Sequence, residues 1–197
     1  AYVLLPIPLP ITVVQILSID LITDILPAIG LGNEPPERDT MRRPPRQHNE
    51  RLVSYRSFIR SYAIIGPVEA ALSFLVFFLI LDAGGWQWSQ PLASDTQLYG
   101  QASGAFLATI IFCQIGNVMA CRSNRQSAVP YLLRFNPWIV AGVAVELLFI
   151  LSILYIPLLH RFFNSAALPL WIWPVILLVP WIIFGIEELR KWLVRRG

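Results

Sequence analysis

Charge is scarce in this sequence. Asp, Glu, Lys and Arg make up 14% of the 197 residues, against 56% hydrophobic. Globular domains carry roughly a quarter of their residues charged, so the composition excludes a soluble domain and fits a polytopic membrane protein. Cysteine is scarcer still. Cys113 and Cys121 stand in no Cys-x-Cys or Cys-x-x-Cys spacing. That argues against a disulfide framework and against soft-metal transport, which favours thiolate ligands. The two histidines, His48 and His160, fall in different loops and read as solvated. No phosphate-cradling Gly-rich loop with its Lys is present. The net charge of +3 is segregated into loops, with no basic stripe interleaved with aromatics, so no nucleic-acid partner is expected. The sequence opens at Ala1 without Met or a signal-peptide pattern, and is expected to be cut from a longer chain.

What is present is apolar length. Spans at about 11–31, 61–81, 102–121, 137–156 and 170–186 predict an all-α, polytopic membrane helix bundle of five transmembrane helices. Residues 1–5 read as the end of a preceding helix, and residues 6–10, with three prolines, as a tight connection. The loops at 33–60 and 122–136 and the tail after residue 186 hold seven, three and four Lys and Arg; residues 82–101 hold none and residues 157–169 one. The positive-inside rule places 33–60, 122–136 and the C-terminus in the cytoplasm. The tail itself reads as a basic amphipathic surface anchor.

Within the first span, residues 16–28 carry two carboxylates, Asp20 and Asp24, which share one face of an α-helix. An acid at the bilayer centre costs ~2.5–3.5 kcal/mol even on the mild scale, so it faces a partner or a hydrated path. Pro27 has no N–H, and the carbonyl of Thr23, four residues earlier, loses its helical donor. Two carboxylates, a hydroxyl and a freed carbonyl are ligands that suit a hard cation. The competing reading is a kinked helix whose acids pair with basic neighbours, although no Lys or Arg lies inside another predicted span. Farther on, Gln114 and Asn117 share a face of the third span, either as ion ligands or as polar groups bonding neighbouring helices. Glu146 lies near the middle of the fourth, too deep for an interface residue. Glu69, near the entry of the second, reads either as a residue hydrated at the interface, the favoured reading, or as a group supporting an ion ligand.

Asp20-Leu21-Ile22-Thr23-Asp24, then Leu26-Pro27-Ala28, resembles the sixth membrane helix of type II P-type ATPases, the ATP-driven cation pumps. Gly32-Asn33-Glu34-Pro35-Pro36 and Asp39-Thr40-Met41-Arg42-Arg43-Pro44-Pro45-Arg46 resemble the loop that follows it. The resemblance implies that residues 1–197 are the C-terminal transmembrane domain of such a pump, its sixth to tenth membrane helices. It implies cation ligands at Asp20, Asp24 and Thr23, with Gln114, Asn117 and Glu146 in a second rank. The Asp-x-x-x-Asp pair, Gln114, and Glu146 set before Tyr155-Ile156-Pro157, resemble the sodium/potassium type. Asn117 stands where that type has an acid.

No Asp-Lys-Thr-Gly-Thr phosphorylation motif occurs, so these residues hold no catalytic site of their own. ATP and Mg2+ are implied for the parent chain and no cofactor for this part. The partners implied are Na+, K+ or Ca2+ as the transported ion, the lipid bilayer, upstream membrane helices and cytoplasmic ATPase domains, in a plasma-membrane pump. Na+ or K+ is favoured, with a Ca2+ pump as the alternative. A stand-alone transporter or accessory subunit without ATPase activity, or a purely structural bundle, are the readings of another class.

Overall fold

The structure is a computed structural model, and the residues it describes are 6–23, 25–36, 41, 55–123 and 126–196. Among these residues there is no strand, and five helical stretches are long and apolar enough to cross a membrane: Val13–Gly32, Arg60–Ala83, Gln97–Cys121, Pro137–Tyr155 and Leu170–Arg196. The all-α, five-span expectation holds.

Two of these crossings are not uniform α-helices. The first is α1 (Val13–Ser18), a π-helical turn (Ile19–Thr23) and α2 (Ile25–Gly32). The second is α3 (Tyr55–Ile59), a π-helical turn (Arg60–Ile65) and α4 (Gly66–Ala83). Each π-turn is followed within one turn by a proline, Pro27 or Pro67. A proline removes one donor, and its ring crowds the carbonyl four residues back. Widening the helix to i→i+5 bonds before the proline relieves that crowding. In the second crossing the Gly66 N–H donates to the Ser61 carbonyl, an i→i+5 bond.

The remaining helices are α5 (Gln97–Cys121), α6 (Val129–Leu132), α7 (Pro137–Tyr155), α8 (Pro157–Phe163) and α9 (Trp173–Arg196). α5 is the axis of the bundle. Ala102, Ala105, Leu107, Ala108, Ile111 and Cys113 on it are fully buried, among α4, α7 and α9. Its small residues let the neighbouring backbones close in, which is how membrane helices gain contact without a hydrophobic driving force. α4 meets it through Phe74, Phe77 and Phe106, with Phe74 edge-on to Phe106 at 5.2 Å between ring centroids. Caps mark the ends. Thr96 Oγ1 accepts from Tyr99 N before α5, Asn136 Oδ1 accepts from Trp138 N before α7, and Asn164 closes α8 in the left-handed region at φ 45°.

Consecutive loops gather at opposite ends. At one end Glu34 meets Arg122, Arg60 meets Glu187, and Glu188 meets residues 127 and 128. At the other, residues 6–9 and 89–92 line a common cavity of about 620 Å³ with Tyr99 and Asn164.

Candidate functional site

The first crossing is fixed at its start by a capping box. Gln15 N donates to Thr12 Oγ1 and Thr12 N donates to Gln15 Oε1. The same Gln15 side chain is fully buried. Its Nε2 donates to Ser103 Oγ at 3.0 Å and to the Phe163 carbonyl at 2.7 Å. One residue thus ties α1 to α5 and to the end of α8. Sequence reasoning missed it, although the Thr-x-x-Gln pattern before an apolar run was there to read.

Below this anchor comes the π-turn. Thr23, at its end, is 1% exposed. Its hydroxyl lies 2.8 Å from the Ile19 carbonyl oxygen and 3.0 Å from Gln114 Oε1. A hydroxyl has one hydrogen, so it donates to one of these oxygens at a time. The Ile19 carbonyl and the Gln114 amide oxygen, from two helices, thus both lie within a hydrogen bond of the Thr23 hydroxyl.

α7 crosses the same region antiparallel to the first span, through a reciprocal glycine contact. A Cβ on Gly30 would lie 2.8 Å from Ile139 Cγ1, and one on Gly142 would lie 3.2 Å from the Pro27 nitrogen. Gly142 thus lies on the kink that Pro27 makes. One turn farther along α7 comes Glu146, fully buried; continuing the register of the Gly30–Ile139 and Pro27–Gly142 contacts carries it toward the level of Thr23 in the π-turn, on which α7 packs.

Of the six residues singled out from the sequence, the structure brings Thr23 and Gln114 into contact and buries Glu146 on α7, a helix that packs on the π-turn. Asp20 is exposed, on the side of the first crossing turned away from the bundle. Asp24 lies outside the described residues. Asn117 is one turn below Gln114, and its Oδ1 accepts from the Cys121 thiol at 3.5 Å. Asp20 lies in the π-turn rather than in the α-helical register from which its face, shared with Asp24, was read. Among the described residues no group of three or more His, Cys, Asp or Glu is placed to hold a metal ion. A cation here would draw on hydroxyl, amide and backbone oxygens together with the acids, a donor set suited to hard ions.

The family model described as "Cation transporting ATPase, C-terminus" matches residues 8–193. This chain belongs to that family. The sodium/potassium-transporting ATPase subunit alpha of Drosophila melanogaster is 31% identical over all of this chain, which spans 21% of that relative's length. The subunit alpha-4 proteins of Rattus norvegicus and Homo sapiens are each 29% identical over 99% of the chain, again 21% of their length. The chain thus spans about a fifth of the curated relatives it matches.

In this cation transporting ATPase C-terminus, three ion-pair sites among the described residues hold the Arg-rich end, and sequence reasoning did not find them. Arg122, buried in the turn after α5, donates to Glu34 Oε1 at 3.0 Å, to the carbonyls of Tyr131 and Arg134, and lies over the Tyr131 ring. Asn136 Nδ2 also donates to Glu34, at 2.7 Å. Glu187, 0% exposed, receives Arg60 at 3.0 Å and Arg190 at 2.5 Å. Arg60 in turn donates to Cys121 Sγ at 3.0 Å. Lys191, 1% exposed, donates to the Ala120 carbonyl and to Glu188, which also accepts from Ser127 and Ala128 N. One side of the tail is thus tied to the bundle. Glu187 and Lys191 turn inward, while Leu189, Leu193 and Val194 are exposed. The physical reason is that each buried charge has an opposite charge or a carbonyl within hydrogen-bonding reach. The Pro-rich stretch at 37–46 lies, apart from Met41, outside the described residues.

Proposed function

We propose that this chain is the C-terminal transport portion of an ATP-driven P-type cation pump, and that it binds and passes a monovalent cation of the Na+ or K+ kind. Asp20 and Asp24 supply charge, and Thr23 supplies a hydroxyl. Gln114 and Glu146 complete the site from α5 and α7, with Asn117 one turn toward the Arg-rich end. The observation that carries this reading is the Thr23–Gln114 contact at a π-turn in mid-span, with a fully buried Glu146 at the same level. π-turns inside α-helices cluster at functional sites, and a buried intramembrane acid is a functional residue by default. The exposed face bearing Asp20 is then the face on which other membrane helices of the parent pump complete the site. ATP and Mg2+ act in the parent's cytoplasmic domains. The loops at 33–60 and 122–136 and the C-terminus are cytoplasmic, in the plasma membrane.

The test is Asp20→Asn and Asp24→Asn in the full-length polypeptide. Each substitution keeps one carbonyl oxygen and removes the charge. At an ion site, half-saturation of cation-stimulated ATPase should rise about tenfold or more, an affinity loss of ~1.4 kcal/mol per decade, while the protein still inserts. Asp24 should be the more sensitive. Titration with Na+, K+ and Ca2+ separates the monovalent reading from a Ca2+ pump. Unchanged half-saturation in both variants at normal expression would falsify the assignment.

A further inference from the structure

Gly116 lies between two residues of the proposed site, Gln114 and Asn117, but faces α9. A Cβ there would come 2.4 Å from the Pro180 carbonyl oxygen, 2.7 Å from its Cα and 2.9 Å from its carbonyl carbon. All three are backbone atoms, which cannot swing aside as a side-chain tip does. Pro180 sits inside α9 and cannot be displaced without moving the helix.

Residues two apart on an α-helix point about 200° apart. Gln114 accordingly leaves α5 on the opposite side, where its Oε1 meets Thr23 at 3.0 Å. α5 thus meets the backbone of Pro180 on one side and, through Gln114 and Thr23, the π-turn on the other. Bringing a 2.4 Å approach out to ordinary contact at 3.4 Å requires a displacement of about 1 Å. That displacement is directed at the Thr23–Gln114 pair. A 1 Å misplacement of a positioned group can cost ~100-fold in function.

We propose that Gly116 is a positioning residue for cation binding. Its missing side chain sets the distance of α5 from α9, and through it the placement of Gln114 against Thr23. The inference rests on the transport reading above. Nothing in it requires Gly116 to touch the ion.

The experiment is a double-mutant cycle in the full-length pump, with ATPase activity normalised to phosphoenzyme so that yield does not enter. Gly116→Ala should raise the half-saturating cation concentration about tenfold, within the range a 1 Å displacement allows, with maximal turnover little changed. In a Gln114→Ala background the same substitution should add no further shift, because the group it misplaces is gone. Gly185→Ala is the control, since a Cβ there meets nothing within 4 Å. Should Gly116→Ala not reach the membrane, Pro180→Ala keeps the three contacting backbone atoms but restores the missing N–H and removes the ring, and so re-sets the path of α9 past Gly116. It too should shift half-saturation in the wild-type background and not in Gln114→Ala. A shift that adds to that of Gln114→Ala, or a loss of yield with wild-type half-saturation, overturns the proposal. Wild-type half-saturation in Gln114→Ala with a shifted Asp20→Asn overturns it while leaving the transport reading intact. Wild-type response in Asp20→Asn and Asp24→Asn removes the transport reading itself.

Discussion

Thr23 and Gln114, 91 residues apart in sequence, meet through a 3.0 Å contact between Thr23 Oγ1 and Gln114 Oε1. Thr23 ends a π-turn and Gln114 sits in the most buried helix of the bundle. Thr23→Ala removes the shared hydroxyl and Thr23→Ser keeps it. Loss of one such oxygen is worth about 1 kcal/mol, or roughly fivefold in affinity. Thr23→Ala should therefore raise the half-saturating cation concentration by that factor and Thr23→Ser should leave it near wild type. Equal behaviour of the two variants in cation-stimulated ATPase assays would count against the hydroxyl.

Glu146→Gln tests the acid on α7. The neutral side chain is cheaper in a membrane, so the protein should insert at least as well as wild type. If the carboxylate serves a sodium-selective part of the site, activation by Na+ should weaken several-fold more than the response to K+. Parallel loss of both responses, or of neither, argues for a purely structural acid.

Glu34 and Arg122 form a pair whose side chains are 7% and 3% exposed. Removing one partner leaves the other charge buried, at a cost of about 3–5 kcal/mol. Glu34→Ala and Arg122→Ala should each lower the unfolding temperature of the detergent-solubilised pump by several degrees. The double variant should be less impaired than the sum of the two. Strict additivity in a thermal-shift measurement would show that the pair is not coupled.

Sidedness can be read by labelling. In a background lacking Cys113 and Cys121, a cysteine at Gln90, which is exposed, should react with an impermeant maleimide applied to intact cells. A cysteine at Leu133, 94% exposed at the Arg-rich end, should react only after permeabilisation. The opposite pattern would invert the topology drawn from the loop charges.

The sequence by itself determined the class of this protein. Apolar length fixes how many helices can span, because a bilayer admits only segments that satisfy their own backbone. Charge segregation fixes which loops belong together, and the local order of Asp20, Thr23, Asp24 and Pro27, combined with the Pro-rich loop that follows, carries the family resemblance. Pro27 also announced that the first crossing would depart from α geometry, though not that the departure would be a π-turn. What only the tertiary structure decided is which distant groups meet. That Thr23 faces Gln114, that Gly142 lies on Pro27 and brings Glu146 to the π-turn, and that Gln15 bridges α1, α5 and the end of α8 depend on how the helices cross. So does the ion-pair closure at the Arg-rich end, where Arg60, Arg122 and Lys191 looked like ordinary loop and tail charges until their partners were placed. Helix crossings are set by close backbone approach at glycines and by packed shape. These are properties of two surfaces together, and neither is written in the sequence of one of them.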